Sequence, residues 1–434
     1  MSFSDEFFWY GEIVQKSLKK RYAKEKRFQA YGTFSIILSL AFLAFLLVDI
    51  TSKSLPAFTQ TYIKLDIDFS HAALRLDKKP NYTRDELFKA SYGRLTTNAL
   101  YQLFPEVKSR KQKKALRQLV SSGVQYHLRD LLIDDPQLIG TSKSIWVLAD
   151  DDVDTFVKGL IDRNLPEADR RVKDFQIAWI DKLQAEGKIE QRLNTHFLTS
   201  GDSREPEQAG ILGALKGSFY TMLVTLLLSF PIGVAAAVYL EEFAPKNNWW
   251  IDVIEVNINN LAAVPSIVFG ILGLAVYINL FGVPRSAPLA GGLALSLMTL
   301  PTIIIATRAA IKSVPPSIRE AALGLGASNM QVITHHVLPL AMPGILTGSI
   351  IGMAQALGES APLLMMGMVA FVADIPQGFL DPSTVLPVQI YIWSDSPERA
   401  FIALTSAAIV VLLIFLFLMN LLAILLRKKF ETRW

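Results

Sequence analysis

Six stretches of this chain are nearly free of charge and long enough to cross a bilayer, and that pattern decides most of what the chain can become. A hydrocarbon core about 30 Å thick needs about 20 helical residues. The stretches are 30–48, 217–240, 257–284, 286–307, 337–358 with a continuation past Glu359, and 400–426. Pro284, Arg285 and Pro288 stand between the third and fourth, so those two read as separate helices joined by a tight turn. With 51% of residues hydrophobic, 19% charged and a mean hydropathy of +0.33, the composition is that of a membrane protein. The charge that remains is concentrated in 1–28 and 51–210. The expected fold class is an all-α polytopic membrane protein with six transmembrane helices and a large extracytoplasmic domain between helices 1 and 2.

The apolar run at 30–48 exceeds a signal-peptide core, and no small-residue cleavage pattern follows Asp49, so it reads as a retained anchor. Orientation follows from basic residues flanking the spans. Lys16, Lys19, Lys20, Arg21, Lys24, Lys26 and Arg27 precede the first, and Arg427, Lys428, Lys429 and Arg433 follow the last. Both termini are therefore expected in the cytoplasm and the chain in the cytoplasmic (inner) membrane. The net charge of +4 mostly reflects these flanks, and no nucleic-acid partner is expected. The domains read as a basic N-terminal segment (1–29), transmembrane helix 1 (30–50), an extracytoplasmic domain (51–210), and a domain with five further spans (211–434). Within the insert, apolar residues recur at helical spacing over 116–132 and 172–183, and 144–157 offers a strand. Residues 199–210, with Gly201, Pro206 and Gly210, read as its exit linker. There is no cysteine, so no disulfide or thiolate site exists.

Residues 308–343 lie between the fourth and fifth spans, which parity places inside. Pro315-Pro316-Ser317 reads as a helix start, with Ser317 as cap and Glu320 completing a capping box. Glu320, Ala321 and Ala322 follow, then Gly326, then Leu338-Pro339. A short helix with small side chains and a glycine break suits insertion into a groove on another protein. This pattern resembles the EAA loop, here about 309–343, by which permeases of ABC importers dock on their nucleotide-binding subunits. It departs at His336, where the family has an aliphatic residue. Val264-Pro265-Ser266-Ile267-Val268-Phe269-Gly270, Leu300-Pro301-Thr302, Ser313-Val314-Pro315, Gly358-Glu359-Ser360-Ala361-Pro362 and Pro387-Val388-Gln389-Ile390-Tyr391 are similar to the PstA-type phosphate permease family over about 212–434. The resemblance implies several partners: an ABC ATPase dimer that carries the ATP and magnesium, a second and related permease chain, an extracytoplasmic phosphate-binding protein, and membrane lipid. It implies no cofactor in this chain. Coupling to the ATPase would fall to Glu320, Ala321, Ala322, Gly326, Leu338 and Pro339.

Glu359 is the acidic side chain deep in an apolar span; a charge there costs about 3 kcal/mol unless it faces the bundle interior with a partner or is protonated. Arg308 lies roughly 30 Å away along the membrane normal, which leaves Arg285 or another subunit as the partner. Glu359 reads equally as a gate beside an anion path or as a carboxyl holding two helices together. Gln355, Ser360, Pro265 and Ser266 complete the candidate pathway, with backbone N–H groups near Pro265-Ser266 as anion donors. Pro265 and Pro301 read equally as kinks with only a packing role. Gln355 and Ile305 stand where PstA-type permeases often have arginine, which leaves another oxyanion or small solute open as cargo. No phosphate-binding loop, His-Glu-x-x-His or Gly-x-Ser-x-Gly occurs, and His335-His336 reads as loop surface, so no enzyme is expected within the chain. A membrane-anchored sensor or scaffold and an ion-driven secondary transporter are the alternatives from other classes.

Overall fold

The computed structural model describes residues 3–79, 82–245, 247–368 and 371–430, and it divides into two units, Met1–Lys53 and Ser54–Trp434. Arg433 and the side chains of Lys16 and Lys19 lie outside the described residues. The first unit is one helix, α1 (Phe3–Ser54), so the basic segment and the first span are continuous. In its apolar stretch the hydroxyls of Thr33, Ser35 and Ser39 donate to the carbonyls of Gln29, Tyr31 and Ser35, one turn back. Polar groups thus stay satisfied inside the helix, as a lipid-facing segment requires.

The second unit opens with the insert, where a three-stranded antiparallel sheet of order β2-β1-β3 joins the helices: β1 (Thr59–Asp68), β2 (Ser142–Leu148) and β3 (Ile189–Leu193). The chain is mostly helical, as expected, but the sheet qualifies the all-α description. On β1, Ile63, Leu65 and Ile67 are fully buried while Lys64 and Asp66 alternate with them. Ile63 pairs with Val147 on one side and Ile189 on the other. Against the apolar face pack α2 (Tyr92–Leu103), α3 (Val124–Asp134) and α5 (Asp174–Ala185), through Leu95, Leu128 and Ile180 among others; α4 (Asp151–Val157) follows β2. The helical spacing at 116–132 is realised as two helices with a break at 118–123, and the strand expected at 144–157 gives way to α4 from Asp151.

The exit from the insert is packed against the helical bundle. Trp393 Nε1 donates to Asp202 at 2.8 Å, Arg171 pairs with Glu398, and Ala57, Phe197, Ile211, Leu386 and Phe401 share one apolar cluster. Burial pushes the Glu207 carboxyl, beside this exit, up to about 7.

The bundle consists of α6 (Leu212–Val238), α7 (Trp249–Ala262), α8 (Ser266–Gly273), α9 (Pro288–Lys312), α10 (Pro316–Gly324), α11 (Leu338–Gly358), α12 (Ala361–Met365), α13 (Leu386–Ser394) and α14 (Ala400–Phe430). Among the described residues five helices are long and apolar enough to cross a membrane, and the pair α7–α8, extended to Leu280 and bent by 101°, makes a sixth when counted as one span. That pair is one traverse. Ile251 and Ile258 of α7 pack beside Leu300 and Ile304 of α9, whereas Leu274 and Ile278 pack beside Ala290 and Ala294. The chain therefore follows α9 along its length, and the third span is a broken one, interrupted at Pro265 because proline supplies no N–H and pushes the preceding residue out of helical geometry.

The fifth span does not continue past Glu359 as expected. It ends at Gly358, Glu359 is extended (ψ 117), and α12 starts afresh. Gly358 is a poor helix former and Pro362 cannot continue the ladder, so the stop is local.

Small residues fix α9 against α11. A Cβ at Gly344 would lie 2.7 Å from the Ala310 methyl carbon, and one at Gly348 would fall on that of Ala306. Residues four apart share a face, so this stripe lets the two backbones approach. Gly348→Val is expected to lower the melting temperature of the detergent-solubilised chain, by overpacking worth about 1–3 kcal/mol. Gly358→Ala, whose Cβ would meet nothing within 4 Å, is expected to melt like wild type.

Candidate functional site

The loop between α9 and α11 is held by charge at its base. Arg319, on α10, donates to Glu242 at 2.8 and 3.2 Å, to the Ile311 carbonyl at 3.0 Å and to the Val314 carbonyl at 2.8 Å. The carbonyls at the end of a helix lack intrahelical partners, so one guanidinium caps the last turn of α9 and the residues just after it while pairing with Glu242 on the π-helical turn Tyr239–Phe243 that continues α6. Beside it, Arg308 meets Glu255 at 2.7 Å and Glu241 at 3.4 Å, and Lys312 meets Glu241 at 3.4 Å. Three spans, α6, α7 and α9, are thereby tied together at the end that carries the loop.

On this base α10 turns one face inward and another outward. Ala322 is buried with Ile311, Val314, Val332, Val337 and Ala341. Glu320, Ala321 and Leu323 face outward, and Glu320 has no ion-pair partner among the described residues. Leu325 is 91% exposed. It stands between Gly324 and Gly326, whose φ of +85° glycine adopts without the Cβ penalty. Gly326 N–H donates to the Leu323 carbonyl at 2.9 Å and Ala327 N–H to the Ala322 carbonyl at 3.1 Å, closing the helix end. Met330 adds a further exposed apolar side chain, while Leu338 is half-buried and Pro339 exposed at the start of α11.

The capping box expected at Ser317 and Glu320 does not form. Pro315 is the N-cap and Pro316 the first helical residue, so Ser317 sits too late to cap. A capping box forms instead at Ser328 and Gln331, with N–H to side-chain distances of 2.9 and 3.3 Å. His335 and His336 are exposed on the π-helical turn Val332–Val337.

The second group of candidates gathers at the opposite end of α11, whose 21 residues span about 30 Å. Gln355 is exposed and Glu359 and Ser360 half-buried. Arg285 is exposed and makes no ion pair with Glu359 among the described residues, so of the two expected partners Arg285 falls away. Helices α8 and α12 run side by side: a Cβ at Gly270 would lie 2.5 Å from the Pro362 carbonyl oxygen, and one at Gly273 2.8 Å from Met366 Sδ. Pro265 and Ser266 precede Gly270 on one side of this contact, and Glu359 and Ser360 precede Pro362 on the other. Reading the sequence missed Arg319, Glu242 and the Arg308 pairs; the signal was Glu241-Glu242 directly after one apolar run, facing cations that follow another.

Two family models match: "Binding-protein-dependent transport system inner membrane component" over residues 229–433 and "Domain of unknown function (DUF3333)" over residues 15–167. The chain is 32% identical to the probable ABC transporter permease protein YqgI of Bacillus subtilis, over 52% of this chain and 81% of that one. It is 32% identical to the phosphate transport system permease protein PstA of Mycobacterium leprae, over 51% of this chain and 71% of the relative. Among solved structures, an inward-facing MetNI methionine ABC transporter matches at 19% identity and a TM-score of 0.42, over 51% of this chain and 97% of that one. On its sequence relatives, this chain belongs to the family of binding-protein-dependent inner membrane transport components, as a PstA-type permease subunit of an ABC importer that is not itself an enzyme.

Proposed function

We propose that this chain carries inorganic phosphate across the cytoplasmic membrane and takes its motion from a separate ATPase through the α10 loop. The observation that supports this most is Leu325, 91% exposed on a rigid base. An isolated apolar knob in water gains about 1.5–3 kcal/mol when a partner buries it, and one held by fixed helices converts a partner's movement into movement of the spans. Glu320, Ala321, Leu323 and Met330 would form the rest of the docking face; Ala322, Gly326, Leu338 and Pro339 would shape it from beneath.

In this reading the loop and both termini lie in the cytoplasm, as the basic flanks favour, and residues 51–210 lie outside, where a phosphate-binding protein delivers its cargo. A second permease chain completes the pathway. ATP and magnesium belong to the ATPase pair, whose closing and opening supply the work. Arg319 passes displacement of α10 to α9 and α6, and the α9–α11 stripe passes it to the far end of α11. In this reading the broken third span would present the N-terminal turn of α8 to the anion. Backbone N–H groups at a helix N-terminus attract anions, and Glu359 opposite them would repel one until the halves move, which makes it the gate. The change is a rigid-body switch between two pathway openings.

A strain lacking only this gene is expected to lose phosphate uptake and regain it with the wild-type gene; uptake lost for a different oxyanion and retained for phosphate would reassign the cargo. Leu325→Asp should insert normally, weaken recovery of the ATPase in a pull-down by about 10-fold or more, and abolish uptake, whereas Leu325→Met should keep both. Normal uptake with Leu325→Asp would contradict the docking role. Arg319→Lys is expected to fall well short of wild-type uptake, because a single ammonium lacks the spread of the guanidinium fork, whose Nε, Nη1 and Nη2 reach Glu242, Val314 and Ile311 from separate atoms. Exchanging the charges, Arg319→Glu with Glu242→Arg, should recover only part of it, since a carboxylate at position 319 cannot donate to the Ile311 and Val314 carbonyls.

A further inference from the structure

Between α6 and α14, both packed against α11, the bundle leaves a groove that no side chain fills. Its cavity is about 450 Å³, and its floor is made by the buried Met222 of α6 and by Met353 and Leu357 of α11. Leu227, Leu422 and Leu426 stand exposed along its rim, so it opens sideways, toward whatever surrounds the spans. Of its lining only Ser349 and Asn420 are polar, and the Ser349 hydroxyl donates to the Ile345 carbonyl one turn back at 2.9 Å. Water would find almost no hydrogen-bond partners in such a space. Left without an occupant, the lining would forfeit its dispersion contacts on one side.

The length of the groove and the charge at one end narrow down what fits it. It follows α11 from Leu346 to Leu357 and α14 from Leu426 back to Leu416, about 15 Å at 1.5 Å per residue. That is half of a hydrocarbon core about 30 Å thick, the depth of one leaflet. At the loop end, one residue beyond Leu426, Arg427 is half-buried and donates to Thr347 Oγ1 at 3.2 Å, which fixes it beside Leu346 across the mouth of the groove. Thr347 is held in turn by donating to the Pro343 carbonyl at 2.7 Å. Arg427 has no ion-pair partner among the described residues, and Lys428 and Lys429 follow it, both exposed. An apolar groove one leaflet deep that ends on an unneutralised guanidinium complements a hydrocarbon chain with an anion at its head. A free anion would leave the apolar part unfilled, and a neutral lipid would leave the guanidinium unmatched.

We propose that this groove holds one acyl chain of an anionic phospholipid from the leaflet on the loop side, with the lipid phosphate on Arg427. The lipid supplies packing that the protein itself leaves out, and it holds the sixth span to α6 along the inner half of both.

The test uses the full chain purified in detergent. Native mass spectrometry is expected to find one phosphatidylglycerol retained per chain, and titration with phosphatidylglycerol to raise the melting temperature saturably. Phosphatidylcholine should bind about 5-fold more weakly, the effect of one basic side chain on an anionic headgroup, and glycerol 3-phosphate, which has the charge without the chain, should leave the melt unchanged. Ala423→Phe, which fills the groove from α14, should lose the retained lipid and melt no lower than wild type in lipid-free detergent, since its ring enters space that no side chain occupies. Arg427→Gln, which leaves the apolar lining untouched, should still bind lipid but level the two headgroups, whereas Lys429→Gln should keep the preference. Equal retention of lipid by Ala423→Phe, a headgroup preference that survives Arg427→Gln, or a shift by glycerol 3-phosphate equal to that of the lipid overturns the proposal. A lipid held by the isolated chain and absent from the assembled importer overturns it too, because the groove then belongs to a helix of the partner permease.

Discussion

The loop end of this permease depends on how the last turn of α9 is capped. A span that stops in a short loop leaves carbonyls facing the headgroup region, and a flexible loop would leave them to water. Here the Arg319 guanidinium takes the carbonyls of Ile311 and Val314 and the carboxylate of Glu242 in one plane. The planar fork of arginine loses little freedom in doing so. The value of the contact is positional more than energetic, since half-buried ion pairs contribute modestly to stability. It makes α10 an extension of α9 and α6, and a helix that cannot swivel can be pulled.

The small-residue stripe on α11 completes that transmission. Lipid tails are as apolar as leucine, so helices in a membrane associate by close packing, and Gly344 and Gly348 provide it against Ala310 and Ala306. What lies at the far end is built the opposite way, from interruptions. Pro265 breaks one span, and Gly358 with Pro362 ends another. Irregular backbone inside a membrane is tolerated where it lines a cavity or is covered by protein. One helix thus joins a charge-capped loop end to an end built from interruptions.

The spans, the loop and the spacing from Glu320 to Leu338-Pro339 were legible in the sequence because they rest on hydropathy and short-range pattern. The sheet was legible too and was missed: Ile63, Leu65 and Ile67 alternate with Lys64 and Asp66, the period of a half-buried strand. Local rules misled where proline intervened. At Ser317 a capping box looked complete, yet Pro315 and Pro316 shift the helix start two residues earlier. In the third span, apolar length hid a 101° break. Partners distant in sequence were out of reach altogether: nothing local joins Arg319 to Glu242, and depth alone nominated Arg285 for Glu359, a pairing absent among the described residues.

Because the chain has no cysteine, a single one at position 325 can be labelled without background. A membrane-impermeant maleimide applied to inside-out vesicles carrying Leu325→Cys, with and without the assembled ATPase, reads both the side and the contact. A cytoplasmic handle requires labelling in those vesicles, none in intact cells, and strong protection when the ATPase is present. Labelling from outside intact cells, or reactivity indifferent to the ATPase, would contradict it.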